Sequence, residues 1–193
     1  MKKNAIILIA AIVAVGLWLM SAYNSMVSSE EAVETAWSQV ENVYQRRMDL
    51  IPNLVATVKG YAQHESQTLE GVINARSKAT QVTVDPENLT PEALAEFNKA
   101  QGELSSALGR LMMITESYPD LKANQNFSEL QAQLEGTENR ITTERMKFNE
   151  TAKEYNTLIR KFPKSIIASI FGFEKKGYFE AQEGAENAPK IEF

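Results

Sequence analysis

The only histidine of the chain begins a stretch that imitates a zinc-binding motif. His64, Glu65 and Thr68 fall on the positions of the His-Glu-x-x-His pattern, in which two histidines one helical turn apart hold a zinc ion. Thr68 takes the place of the second histidine, and one imidazole cannot build such a centre. The polar residues around His64 predict a solvated position on a helix instead, and the sequence predicts no metal site.

Other residue patterns that support catalysis are also missing from the sequence. It has no cysteine, which excludes thiol nucleophiles, disulfides and thiolate metal sites. It has no Gly-rich phosphate loop, and Gly102 and Gly109 stand alone inside a predicted helix. The adjacent carboxylates Glu30 and Glu31 lie on a charged stretch and are expected to be solvated. The sequence therefore predicts that the protein is not an enzyme and binds no cofactor.

Polar residues on or beside the predicted apolar seams of the helices are the remaining candidates for a site. A charged side chain buried alone is very costly, so these residues are expected to pair with one another and to fix the register of the helices. Binding of a ligand is the alternative. The residues are Arg47, Asp49, Asn53, Arg76, Arg110, Glu138, Asn139 and Arg140.

An apolar segment near the N-terminus predicts a membrane anchor. No charged residue occurs between Asn4 and Ser29, and at ~1.5 Å per residue the apolar run nearly spans a hydrocarbon core of ~30 Å. A cleaved signal peptide is the alternative, but residues 20–22 offer no clean cleavage site, which favours retention. The predicted anchor residues are Ala5, Ile6, Ile7, Leu8, Ile9, Ile12, Val13, Val15, Leu17, Trp18, Leu19 and Met20.

The distribution of charge predicts the orientation of this anchor. Lys2 and Lys3 precede the span, and no basic residue follows it until Arg46. The positive-inside rule then predicts a single-pass protein of the inner membrane with a cytoplasmic N-terminus and the remainder outside the cytoplasm. The formal net charge of −5 repels phosphate backbones, so nucleic acid is not an expected partner.

Beyond the anchor, apolar residues recur at intervals of three and four, which predicts helices. Pro52 is expected to mark a tight reversal between the first and the second helix. Residues 82–90 form the predicted main loop. Thr90 followed by Pro91 is typical of a helix start, because threonine caps the helix and proline suits its first position.

The remaining boundaries complete a prediction of the fold. The third helix is expected to stop at Tyr118, before Pro119, and the fourth to be capped by Asn126 and stopped by Pro163. The predicted class is all-α: an N-terminal transmembrane helix that continues into an antiparallel bundle of four long helices, with coiled-coil-like seams. The predicted domains are an anchor (1–26), the bundle (27–163) and a C-terminal tail (164–193).

The tail combines apolar and basic residues. An apolar run over 166–173 is flanked by Lys161, Lys164, Lys175 and Lys176, as in a segment that lies at a membrane surface. The alternative is that the run covers the open end of the bundle or packs on a neighbouring subunit. In both cases the tail is expected to be amphipathic or extended and to pack on the bundle or the membrane.

Several segments closely resemble the signatures of the LemA family. They are YQRRMDLIPNLV at 44–55, YPDLKAN at 118–124, LEGTENRI at 134–141, YN at 155–156, GF at 172–173 and YFE at 178–180. The resemblance implies a bacterial protein with an N-terminal membrane segment, an antiparallel bundle of long helices and no assigned enzymatic activity. The polar residues taken from these signatures and from the seams are Arg47, Asp49, Asn53, Arg110, Asn124, Glu138, Asn139 and Arg140.

Two functional hypotheses follow from the sequence. The leading one is a membrane-anchored helical scaffold of the bacterial cell envelope that contacts the lipid bilayer, binds envelope proteins and forms homo-oligomers. The alternative is a sensory four-helix bundle that acts through a partner protein. In that case Arg47, Arg76 or Arg110 would bind an acidic metabolite.

Overall fold

The computed structural model of the protein describes residues 2–180. This part of the chain contains six α-helices and no β-strand, so the predicted all-α class is confirmed. The helices are α1 (Lys2–Tyr61), α2 (Ser66–Gln81), α3 (Pro91–Thr115), α4 (Pro119–Lys122), α5 (Gln125–Arg160) and α6 (Lys164–Phe171).

The first helix has two sections of different character. It is 60 residues long, which at ~1.5 Å per residue gives a rod of about 90 Å. The section up to Met20 is apolar and exposed, whereas Ala22 and Met26 begin a buried stripe that continues along the helix. Within residues 2–180, α1 is the one helix long and apolar enough to cross a membrane.

The reversal predicted at Pro52 is wrong, because α1 continues through this residue to Tyr61. Proline has no N–H to donate to the carbonyl four residues earlier, which belongs to Met48. Arg76 of α2 supplies the missing donor, since its Nε lies 3.0 Å from the Met48 oxygen. The chain reverses at residues 62–65 instead.

The helices pack in two main pairs, α1 with α5 and α2 with α3. At one end of the first pair the Asn124 amide donates to the Tyr61 hydroxyl at 2.9 Å. At the other end the Tyr155 hydroxyl lies 3.3 Å from a carboxylate oxygen of Glu30. The two long helices are therefore antiparallel, and α5 supports the section of α1 that follows the exposed apolar residues.

Helix termini agree with the sequence where the signal is local. Thr90 caps α3 as predicted, because its hydroxyl accepts from the Ala93 N–H at 3.2 Å. The predicted cap of the last long helix is wrong: Asn124 rather than Asn126 accepts from the Phe127 N–H, at 3.0 Å. The short α4 explains the difference, because the chain re-enters helix directly after it. The long helices α3 and α5 end at Thr115 and Arg160, slightly earlier than predicted.

The buried residues form two clusters stacked along α1. We call the first, which is nearer the apolar section of α1, the aromatic cluster, because it contains Trp37, Tyr44, Phe97, Phe148 and Phe179. The second, the aliphatic cluster, contains mainly leucine, isoleucine, valine and alanine, among them Ile51, Leu54, Leu104, Leu111 and Leu121. Together they form the core of the bundle.

The chain after α5 packs back onto the bundle. Helix α6 contacts both α1 and α5, and Gly172 ends it in a left-handed conformation with φ of 77°. Residues 173–180 then run along the bundle without regular secondary structure, and we call them the extended segment. The predicted tail, 164–193, extends past the described residues. The domain boundaries stay predictions, and α1 passes through residue 26 without interruption.

Candidate functional site

A buried arginine forms a polar layer across the bundle. The Arg47 side chain is almost fully buried, and its Nη1 donates to Glu138 Oε1 at 2.7 Å and to Ser105 Oγ at 2.9 Å. Its Nη2 donates to the Gln101 side chain. Since these partners lie on α3 and α5, one residue of α1 links three helices. The expectation that polar seam residues pair with one another is met at this position.

This polar layer lies where the two core clusters meet. Tyr44 belongs to the aromatic cluster and Met48 to the aliphatic one, so Arg47 separates them along α1. The Arg47 guanidinium also lies 5.0 Å from the centre of the Tyr44 ring, in a cation–π contact. Burial raises the pKa of the Tyr44 hydroxyl. A shift of one helix along another would separate Arg47 from its partners, so the layer fixes the register.

The other polar residues singled out from the sequence lie apart from this layer. Asp49 is exposed and accepts from Gln45 Nε2 at 2.7 Å, and Asn124 is a helix cap. Arg47 and Arg76, two of the three arginines of the predicted metabolite site, make hydrogen bonds inside the protein, to Glu138 and to the Met48 carbonyl oxygen. The remaining residues, Asn53, Arg110, Asn139 and Arg140, are exposed on helix surfaces.

Two asparagines of α5 hold the extended segment in place. Asn156 accepts from the Lys176 N–H at 3.0 Å and donates to the Lys176 carbonyl at 2.8 Å. Asn149 makes the same pair of bonds to Phe179, at 2.8 Å and 2.9 Å. Seven residues of helix and three residues of extended chain both cover about 10 Å, so the two spacings match. We call this arrangement the asparagine latch.

A buried lysine joins the extended segment to α1. Lys176 is only 6% exposed, and its Nζ lies 2.8 Å from Glu30 Oε1 and 2.9 Å from the Glu87 carbonyl oxygen. The Tyr155 hydroxyl contacts the same carboxylate. Burial raises the pKa of Tyr155, and the charge of Glu30 adds to this. Glu30 was expected to be solvated; its side chain is 28% exposed and also pairs with Lys176, because the chain beyond α6 returns to it.

The extended segment also completes the aromatic cluster. The Phe179 ring is stacked on Trp37 with centroids 5.9 Å apart, and it meets the edge of Phe148 at 5.5 Å. Arg145 covers its outer side at 4.6 Å. Gly177 passes so close to α3 that a Cβ would lie 2.8 Å from the Pro91 nitrogen. The segment is therefore part of the core, and its approach to α3 requires glycine.

A groove runs beside the extended segment. It has a volume of about 920 Å³ and lies between α3, α5 and residues 175–180. Lys99, Arg160 and Lys175 contribute positive charge to its lining, and Glu92 and Glu180 contribute negative charge. Its mixed charge and open shape resemble a protein contact surface more than an enclosed small-molecule pocket.

The structure places the motif around His64 at the surface. His64 is exposed in the turn between α1 and α2. Within residues 2–180 no three histidine, aspartate or glutamate side chains lie close enough to hold a metal ion.

Comparison with known sequences assigns the chain to a family. The sequence profile of the LemA family matches residues 36–193, which is most of the chain. The chain belongs to the LemA family. This confirms the resemblance read from the sequence signatures. The matched region of this LemA-family chain begins just before Trp37, so it includes the Arg47 layer and the asparagine latch and excludes the exposed apolar section of α1.

Named relatives cover most of this LemA-family chain. It is 27% identical over 200 aligned positions to Magnetosome protein MamQ 2 of Paramagnetospirillum magneticum, with 94% of this chain and 73% of the relative covered. It is 27% identical over 187 positions to Magnetosome protein MamQ of Magnetospirillum gryphiswaldense, with 87% and 68% covered. It is 24% identical over 160 positions to Protein LemA of Metamycoplasma hominis, with 83% and 69% covered.

The residues predicted to anchor the protein share one property in the structure, which is exposure. The large apolar side chains from Ile6 to Met20 are 42% to 67% exposed, and Ala5 is exposed as well. An apolar surface of this length is unstable in water and suits a lipid environment. Among residues 2–180, the LemA-family chain therefore has one candidate membrane helix, near its N-terminus.

Proposed function

We propose that this protein is a non-enzymatic, membrane-anchored scaffold of the bacterial cell envelope that binds partner proteins and further copies of itself. The observation that carries the proposal is the continuity of α1, which runs from the exposed apolar section to the far end of the bundle without a break. A helix that continues without a break from the membrane into the bundle holds the bundle at a fixed angle to the membrane and at a fixed distance from it. A scaffold needs this property, whereas a soluble enzyme does not.

The internal contacts support the same proposal. The Arg47 layer ties α1 to α3 and α5, and the asparagine latch ties the extended segment to α5. We interpret the molecule as an antiparallel bundle whose long helices are α1, α2, α3 and α5. Such a bundle is rigid, and the groove between α3, α5 and the extended segment is a surface on which a partner segment can lie.

The proposed location is the inner membrane, with the N-terminus in the cytoplasm and the bundle outside it. Two lysines before the span and the acidic residues that follow it support this orientation. In this arrangement the distal end of the bundle stands clear of the lipid headgroups, because Tyr61 lies 38 residues beyond Tyr23 in the same helix, or about 57 Å at 1.5 Å per residue.

Photocrosslinking in intact cells tests this function. A benzoylphenylalanine residue replaces Asn98 or Ser106 in the groove, and Thr142, an exposed residue of α5 outside the groove lining, is the matched control. We expect the two groove positions to crosslink to defined proteins, including a second copy of the chain, and Thr142 to crosslink less. Equal, background-level crosslinking at all three sites, together with a monomeric particle in mass photometry, would contradict the proposal.

A further inference from the structure

The outer side of α6 is an apolar surface that no described part of the chain covers. Ile167 and Ala168 face the core and are buried. On the other side Ile166 is 53% exposed, Ile170 72% and Phe171 61%. Phe162, in the turn before α6, is 82% exposed. Four large apolar side chains in so short a segment are unfavourable in water.

The position of α6 on α1 shows what can cover this surface. Near one end of α6, Phe171 packs on Tyr23 with ring centroids 4.9 Å apart. At the other end, Lys164 Nζ donates to Ser25 Oγ at 3.4 Å. Tyr23 and Ser25 differ by only about 3 Å along the axis of α1. Helix α6 therefore lies across α1, just beyond Met20, where the exposed apolar section of α1 ends.

The charges around α6 fit the same environment. Arg160 and Lys161 precede it, Lys164 begins it, and Lys175 follows it, whereas Glu174 is the one acidic residue between 160 and 176. Basic side chains reach from an apolar helix toward the phosphate groups of lipids while their methylene groups stay in contact with the apolar side. This combination is typical of a helix that lies in the plane of a membrane surface.

We propose that α6 is an interfacial helix that buries its exposed apolar side in the outer part of the same bilayer that α1 crosses. The proposal rests on the anchoring of α1 in that bilayer, and it adds a second attachment. Lipid is proposed to cover the exposed side of α6 because Phe171 of α6 packs on Tyr23, just beyond the end of the exposed apolar section of α1. Two attachments on one rigid bundle prevent it from rotating or tilting freely above the membrane.

Depth-dependent fluorescence quenching tests this proposal on the full chain. The protein has no cysteine, so single-cysteine variants can each carry one environment-sensitive dye without further changes. Ile170→Cys reports on α6, and Val13→Cys and Leu19→Cys report on the deep and shallow parts of the span. Met113→Cys, which is exposed at the distal end of the bundle, is the control. The variants are reconstituted in vesicles of phosphatidylcholine and phosphatidylglycerol that carry spin-labelled lipid.

The expected pattern separates the two proposals. The dye at Ile170 should show a blue shift and a loss of emission like that at Leu19, stronger with a spin label near the glycerol end of the acyl chain than near its terminus. Met113 should stay unquenched. Quenching at Val13 without quenching at Ile170 would overturn the interfacial helix and leave the anchor intact. No quenching at either position would overturn the anchor as well.

A second copy of the chain is the competing occupant, and the same experiment detects it. In that case the Ile170 dye would show a blue shift without quenching by lipid, and the shift would weaken as the ratio of protein to lipid falls. This result would overturn the lipid proposal. Met146→Cys, exposed on the middle of α5, shows whether the dye itself promotes association.

Discussion

At the scale of single residues, Arg47 places a full charge in the interior, and its partner decides whether that arrangement is stable. Glu138 neutralises the charge from α5, and its side chain is 42% exposed while that of Arg47 is 2% exposed. Removing the partner leaves the arginine buried and uncompensated, which costs more than the pair contributes in net terms. The stability of the Arg47 layer therefore depends strongly on the Glu138 carboxylate, although this side chain is 42% exposed.

Glu138→Ala should lower the free energy of unfolding by about 2 kcal/mol, because it leaves the buried charge of Arg47 without its partner. The cost is moderate because Glu138 is itself partly solvated. The measurement is chemical denaturation of the full chain in detergent. The control is Glu150→Ala, an exposed position on the same helix, with a change within about 0.5 kcal/mol. Adding Arg47→Met to Glu138→Ala should recover part of the loss. No recovery would mean that the charge is not the cause.

Gly177 is the residue at which the extended segment approaches α3 most closely. Gly177→Ala should destabilise the protein by about 1–3 kcal/mol, since the new Cβ meets backbone atoms of Pro91 at 2.8 Å and 2.9 Å. Gly109→Ala is the contrasting variant, because a Cβ there meets nothing within 4 Å and helical glycine costs about 0.5–1 kcal/mol relative to alanine. The melting temperature should fall for Gly177→Ala and rise for Gly109→Ala.

Tyr155 gives the protein a dependence on alkaline pH. Burial, with the charge of Glu30, raises the pKa of its hydroxyl above the ordinary value of about 10. The folded chain keeps this proton where the unfolded chain has lost it, so this contribution to stability is intact below about pH 10 and is lost as the pH rises further. Melting temperatures measured from neutral to alkaline pH should fall less steeply for Tyr155→Phe. An unchanged slope, equal to that of the exposed control Tyr61→Phe, would contradict this.

At the scale of helices, α1 contains a proline and still continues through it as helix, because another helix completes its hydrogen bonding. The cost of Pro52 is one unpaired carbonyl at Met48, and Arg76 reaches it from α2. The bond therefore makes the continuity of α1 depend on the packing of α2.

A double-mutant cycle measures this dependence. Arg76→Ala should cost about 1–2 kcal/mol in the native background, where it leaves the Met48 carbonyl without its side-chain donor. Together with Pro52→Ala, which restores a backbone N–H, the same change should cost about 1 kcal/mol less. Lys78→Ala removes only an exposed ion pair with Glu103 and should show no such coupling. Equal costs for Arg76→Ala in both backgrounds would contradict the account of Pro52.

Helix type and the start of α3 could be predicted from the sequence because their causes lie within a few residues. Thr90 and Pro91 start α3 through a bond to Ala93, and the apolar section of α1 is continuous in sequence. The path through Pro52 could not be predicted, because its partner lies 28 residues away on another helix.

The asparagine latch was missed for a related reason. Asn156 belongs to one of the family signatures, but its role, like that of Asn149, depends on the chain beyond α6, which returns to both residues. Their spacing of two helical turns on one face, followed later by a segment with glycine and aromatic residues, is the signal that sequence reasoning could have used. For Arg47 the sequence predicted that it pairs with other polar residues but not with which ones. The structure shows that its partners are Glu138, Ser105 and Gln101.

At the scale of the whole molecule, these contacts tie the other helices to α1 along the part of it that follows the exposed apolar section. The aromatic and aliphatic clusters fix α5 along α1, the Arg47 layer sets their register, and the extended segment closes the end of the bundle nearer the apolar section. Helix α6 lies at that same end. The side of the membrane on which the bundle lies determines which proteins it can contact.

That side can be determined by chemical labelling, since the natural chain contains no cysteine. Met146→Cys places a thiol at an exposed position of α5, and Asn4→Cys places one before the apolar run. If the lysines set the orientation, a membrane-impermeant maleimide that crosses only the outer membrane should label Met146→Cys in intact cells and label Asn4→Cys only after the inner membrane is opened. The reverse pattern would place the bundle in the cytoplasm. Labelling of both variants in intact cells would show that neither end is protected by the membrane, which would contradict the single span itself.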